Sequence, residues 1–171
     1  MSAHQARILF LEDEKDLREV LAESLSDEGF LVDAFPDSRE ALMALGQERY
    51  DVILTDISMP GDRNGLDFVA AVRAESRKTP IVVYSAFGDS KTLRQALELG
   101  VTKFLSKPTP VEDIRDALYI AVEESMRIAQ IEDALIRLTE MAGPVADLAR
   151  QIESNLGKIN SHRALQFAMK K

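Results

Sequence analysis

Five polar side chains, Glu12, Asp13, Asp56, Ser85 and Lys107, each stand at or just past the end of a short apolar run. The runs are Ile8 to Leu11, Val52 to Leu54, Ile81 to Tyr84 and Phe104 to Leu105. Three carboxylates gathered at one place repel each other by roughly 1 to 4 kcal/mol per close pair at dielectrics between bulk water and a protein surface. A cation must therefore accompany them. Hard oxygen donors suit Mg²⁺, which keeps waters and binds through one or two carboxylates together with phosphate oxygens, and Lys107 adds a mobile positive charge. This equipment serves phosphoryl transfer, which needs a positioned nucleophile and neutralised equatorial oxygens more than proton shuttling. Asp56, the central acid, is the expected nucleophile. Taken singly, the Glu-Asp pair reads as acid at a helix N-terminus and the Lys-Pro pair as nothing in particular. The reading rests on four strand ends each carrying the right group.

For these side chains to meet, the runs must be strands of one sheet, because ligands of open parallel sheets bind beyond the strands' C-terminal ends. With Leu31 to Phe35 added there are five runs, too short for helices and apolar on consecutive positions, as in strands covered on both faces. Helical stripes fall between them: Leu17, Val20, Leu21, Ser24 and Leu25, then Ala41, Leu42 and Leu45, then Val69 and Val72. Gly29, Gly46 and Gly100 stand where helix C-caps are needed, Asp37 with Glu40 has capping-box spacing, and Thr109-Pro110-Val111-Glu112 offers an N-cap, a Pro at N1 and a Glu at N3. The alternation predicts an α/β fold, a doubly wound five-stranded parallel sheet with helices on both faces.

The segments Ile8-Leu9-Phe10-Leu11-Glu12-Asp13, Asp56-Ile57-Ser58-Met59-Pro60-Gly61, Ser85-Ala86 and Lys107-Pro108 resemble the signature of response-regulator receiver domains of two-component signalling. The resemblance covers residues 7 to about 122 and is specific as a combination, although no fragment is specific alone. It implies that Asp56 is the phospho-acceptor, that Glu12, Asp13 and Asp56 form the metal site, and that the Ser58 backbone carbonyl is a further Mg²⁺ ligand. It also implies that Ser85 hydrogen-bonds a phosphoryl oxygen, that Lys107 pairs with the phosphate, and that Phe104 changes rotamer with it; a plain core role in the fifth strand is the alternative for Phe104. The phosphodonor would be a sensor histidine kinase or a phosphotransfer protein. Glu12 stands where the family more often carries Asp, so its longer arm is expected to reach the metal through water. Four residues separate Pro60 from Gly65, one more than the usual spacing, which predicts a re-shaped loop, and Phe87 is apolar where many members are polar.

After Pro110 the pattern is all-helical, dividing the chain into a receiver over 1–122 and a helical segment over 123–171. Ile128, Ile131, Leu135, Leu138, Ala142, Val145, Ala149, Ile152, Leu156 and Ile159 recur at alternating steps of three and four, a heptad seam. Such a stripe must pack on its own domain, on itself or on a second chain, and a homodimer through 123–171 is expected, as a coiled coil or a helical hairpin bundle. Gly143-Pro144 predicts a kink or a hairpin turn, with the hairpin slightly preferred, and Gly157 and Ser161 predict a further short break. Two sharper alternatives are a helix-turn-helix over Val145 to Leu165, which lacks a basic recognition face, and a phosphoryl-carrying His162.

The net charge of −8 lies wholly in residues 1–122, since 123–171 carries seven basic and seven acidic groups. Nucleic acid is therefore the less expected partner. The 46% apolar and 29% charged composition is that of a folded globular chain, and the absence of cysteine excludes disulfides, thiolate nucleophiles and Cys-ligated zinc. With Met1 to Arg7 polar and Ile8 to Leu11 too short to span or to signal export, the expected setting is the cytoplasm, without membrane insertion. The expected function is a non-enzymatic response regulator that signals by contact with an unidentified output protein through its helical tail. The alternative is a DNA-binding transcriptional regulator with a small or truncated output module.

Overall fold

The computed structural model of the chain describes residues 5–59, 65–75, 78–86 and 90–168, with side chains described among these up to Glu140 except Ser90, and beyond it at Gln151 and Ser154. It divides into two compact units, 1–128 and 129–171. The first contains β1 (Arg7–Leu11), α1 (Lys15–Asp27), β2 (Leu31–Phe35), α2 (Ser38–Gln47), β3 (Val52–Thr55), α3 (Gly65–Ala74), β4 (Ile81–Ser85), α4 (Ser90–Glu98) and β5 (Lys103–Ser106). It also contains the start of α5 (Val111–Ala168), of which the second unit is the continuation.

The sheet is parallel throughout, in the order β2-β1-β3-β4-β5. Because strand side chains alternate, Ile8 and Phe10 enter a core with α1 and α5, while Leu9 and Leu11 enter a second core with α2, α3 and α4. The central strands β1, β3 and β4 are buried almost throughout, which is why they read as continuous apolar runs; the edges β2 and β5 are only partly covered.

The helix ends follow local chemistry. Asp37 Oδ1 accepts from the Arg39 and Glu40 amides at 2.8 and 2.9 Å, capping α2 as its spacing predicts. Gly29 (φ 97°) and Gly100 (φ 71°) take the left-handed conformation after α1 and α4. The following amides, Phe30 and Val101, donate to Leu25 and Ala96, the six-residue closure of a Schellman cap. Gly46 is not a cap: it lies inside α2, which closes two residues later through the Glu48 amide on the Ala44 carbonyl.

Thr109 does not cap α5 either. Its hydroxyl donates to the Ser106 carbonyl, and the helix starts at Val111, where the Pro110 carbonyl accepts from Asp113 and Ile114. In α1 the buried line runs through Leu17, Leu21 and Leu25 with Ala22 beside it, which turns Val20 to solvent.

The expected hairpin turn and the further short break in the tail are absent among the described residues. The backbone of α5 stays helical through Gly143-Pro144 and through Gly157 and Ser161, so neither a hairpin nor a helix-turn-helix over 145–165 is present there. Pro144 removes one intrahelical donor and crowds the carbonyl four residues before it, and the helix nevertheless continues past it, which leaves the kinked continuous helix of the two expected geometries. The loop 60–64 and Phe87 lie outside the described residues, and the side chain of His162 lies outside the described side chains. Among the described residues no helix is long and apolar enough to cross a membrane.

Candidate functional site

The strand ends bring the five polar groups together. Asp56 follows β3 and is buried, its amide held by the Leu11 carbonyl at 2.9 Å, so β1 and β3 fix its height on the rim. Oδ1 accepts from the Ser58 amide at 2.7 Å and from the Ser85 hydroxyl at 2.7 Å; Oδ2 accepts from Lys107 Nζ at 2.7 Å. Lys107 also donates to Glu12 Oε2 at 2.6 Å. Asp13 is exposed beside them, and Glu12, Asp13 and Asp56 each present a carboxylate oxygen within 4.8 Å of the other two.

Burial sets the electrostatics. Glu12 is 1% exposed, and loss of water raises its pKa against the opposing pull of Lys107. Burial likewise works against the Lys107 charge, but its hydrogen bonds to Asp56 and Glu12 outweigh that and raise its pKa. The lysine is thus held charged between two acids. Three carboxylates and one ammonium leave a formal charge of −2, and hard oxygens with that residual charge fit a divalent cation such as Mg²⁺.

Several contributors escaped sequence reasoning. The Ser58 side chain shares a 2.6 Å hydrogen bond with the Ser85 hydroxyl, closing a ring of contacts around Asp56 Oδ1. Tyr84 faces the opposite side of β4 from Ser85 and lies with its ring 5.0 Å from Lys107 Nζ, a cation–π contact. Arg18, from the first turn of α1, donates to the Glu12 and Asp13 carbonyls at 2.8 and 3.1 Å, bracing the acid pair through its backbone. Gly65 packs so closely that a Cβ would lie 2.0 Å from the Asp56 carbonyl oxygen. A glycine opening a helix straight after the Pro-Gly-Asp-Arg-Asn loop was a visible sign of close approach; the arginine, lying on an ordinary polar helix face, gave none. Phe104 is partly buried and packs against the second core.

A doubly wound sheet with an acid pair, a central aspartate, a hydroxyl and a lysine on its C-terminal rim defines a class of signalling receiver domain, and comparison with known proteins places the chain within it. Residues 8–119 match the response regulator receiver domain, and the chain belongs to that family. The two-component response regulator PhoP of Pseudomonas aeruginosa is 30% identical over 146 residues, 85% of this chain and 61% of PhoP. The transcriptional regulatory protein PdtaR of Mycobacterium tuberculosis is 33% identical over 135 residues, 78% of this chain and 65% of PdtaR. This chain thus covers less than two thirds of either relative's length. Among solved structures, the Vibrio cholerae chemotaxis protein CheY4 superposes with a TM-score of 0.64 at 31% identity, covering 68% of this chain and 98% of CheY4. A response regulator receiver protein from Pseudomonas putida gives 0.65 at 26% identity, covering 68% of this chain and 98% of that one.

Proposed function

We propose that this receiver takes a phosphoryl group on Asp56 with Mg²⁺ from a sensor histidine kinase or a phosphotransfer protein in the cytoplasm. Its output would then be delivered by protein contact and dimerisation through residues 123–171, without a catalytic effector. The observation that supports this most is the Asp56 carboxylate itself, held on Oδ1 by the Ser58 amide and Ser85 hydroxyl and on Oδ2 by Lys107. A nucleophile fixed on both oxygens, beside two further acids, is preorganised for in-line attack on phosphorus.

Glu12, Asp13, Asp56 and the Ser58 carbonyl would hold the metal, which supplies positive charge to the phosphoryl oxygens when bound. Once Asp56 is phosphorylated, Ser85 and Lys107 are the donors able to follow the new oxygens. Their movement would open space beside β4 and β5 for Phe104. The test is intact-mass analysis after incubation with a small phosphodonor and Mg²⁺: one added phosphoryl group is expected on the wild type and none on Asp56→Asn. A phosphate gain on the Asn variant would remove Asp56 from this role.

Dimerisation is supported by α5. Ile131, Leu135 and Leu138 lie on one stripe and are 61, 56 and 62% exposed. Burying each contributes about 1.5 to 3 kcal/mol, and continuation of the seam to Ile159 brings the sum past the roughly 4 to 15 kcal/mol that association costs.

The reading as a DNA-binding regulator draws on the name of the PdtaR relative, a transcriptional regulatory protein; the neutral charge of 123–171 supplies no basic excess in its favour. A gel shift with salt titration separates it, since binding through phosphates weakens steeply with salt.

A further inference from the structure

We propose that two copies of α5 pair as a parallel, in-register, two-stranded coiled coil, with Arg127 of each copy beside Glu132 of the other; this rests on the dimer reading above. The seam alone does not choose an orientation. Its steps put Ile128, Leu135, Ala142, Ala149 and Leu156 at a, and Ile131, Leu138, Val145, Ile152 and Ile159 at d. This set overlaps itself fully in either direction. In the antiparallel pairing each a residue meets a d residue, Ile131 against Leu156 and Leu135 against Ile152.

The flanking charges break the tie. Arg127 occupies g, and Glu132 and Glu153 occupy e. In a parallel pair, g of one chain faces e of the next heptad on the other, so Arg127 meets Glu132 twice per dimer. In the antiparallel pair e faces e, which sets Glu132 against Glu153 twice per dimer, like charge against like. Arg127 and Glu132 are both exposed on α5, where each can face a second helix. The charges therefore favour parallel strands.

The Gly143-Pro144 step is compatible with this pairing. Gly143 and Pro144 occupy b and c, the outer positions, and the heptad phase runs across them unchanged. Alanine at two successive a positions suits the close approach of two helices. The β-branched residues at d, which favour wider bundles, make stoichiometry part of the test.

The chain has no cysteine, so single replacements report cleanly. Full-length Ile131→Cys and, separately, Leu138→Cys are oxidised with copper phenanthroline, and each is expected to give a disulfide-linked dimer. An equimolar mixture of Ile131→Cys and Leu156→Cys is expected to give no mixed product beyond background. In parallel, Arg127→Glu is expected to weaken dimerisation by roughly 3- to 30-fold, and Arg127→Glu with Glu132→Arg to recover most of it. Homotypic disulfides together with charge-swap recovery support the proposal. A light-scattering dimer that gives only the mixed product overturns the orientation and leaves the dimer standing. Four chain masses overturn the two-stranded pairing, and a full-length monomer at micromolar concentration overturns the dimer reading itself.

Discussion

Glu12 and Asp13 are neighbours in sequence but not in environment. Glu12 is buried and engaged by Lys107, whereas Asp13 is exposed with its carboxylate on the same cluster. If both serve Mg²⁺, Asp13→Asn should lower its affinity more than Glu12→Gln, because the exposed acid can turn to the ion directly while the buried one already holds the lysine. Equal losses in a titration by intrinsic fluorescence or calorimetry would contradict that division. Gly65 sets a steric limit. Its replacement by Ala puts a methyl group 2.0 Å from the Asp56 carbonyl oxygen, so α3 or the Asp56 backbone must shift, and a loss of about 2 to 3 kcal/mol is expected in denaturant unfolding. The rate of phosphorylation should fall with it. The acids, Ser85 and Lys107 are legible in the sequence because each ends an apolar run. The Ser58 hydroxyl and Arg18 are not, since their roles depend on which way a side chain turns in space.

Among the elements, α4 depends on a side chain from another helix. Arg73, on α3, spreads its guanidinium over the Leu99, Thr79 and Gly100 carbonyls at 3.0, 2.9 and 2.9 Å. These are the groups that end α4 and lead into β4 and β5. Arg73→Met keeps the stem and removes these bonds, which should cost about 2 to 4 kcal/mol: a bond to a charged group contributes about 1.5 to 3 net, and the three fall short of additive because the freed carbonyls can turn to water. Thermal unfolding reads this, and an unchanged midpoint would show that water replaces the guanidinium at no cost. The strands are legible to within one or two residues because three are buried on both faces and two are half-covered. Helix ends are legible where a residue can do only one thing, as at Asp37, Gly29 and Gly100. They are misleading at Gly46, Thr109 and Gly143-Pro144, where a weak former or a missing donor is tolerated. A single lost bond does not outweigh the cooperative helix on either side.

For the molecule as a whole, removal of 123–171 should leave a receiver that elutes as a monomer or as a weaker, phosphorylation-dependent dimer, where the full chain gives twice its mass by light scattering. At the far end of the sheet, Arg7 joins Asp33 and Glu48 at 2.8 and 2.7 Å and lies 5.0 Å from the Tyr50 ring. Burial, then the hydrogen bond to Asp33, pushes the Tyr50 pKa from 10 to about 12. Between those values the unfolded chain has released the phenolic proton and the folded chain has kept it. Stability is therefore full below pH 10 and falls as pH rises, by about 1.4 kcal/mol at pH 11. Tyr50→Phe should remove that part of the alkaline loss, and identical pH profiles for the two proteins would refute the shift. Tyr84 leads elsewhere. The chain contains no tryptophan and three tyrosines, so its near-ultraviolet spectrum is dominated by them, and one of the three has an ammonium against its ring. If Lys107 swings to a phosphoryl group, that ring loses its cation, and a tyrosine difference spectrum absent from Tyr84→Phe would follow phosphorylation in real time without any label.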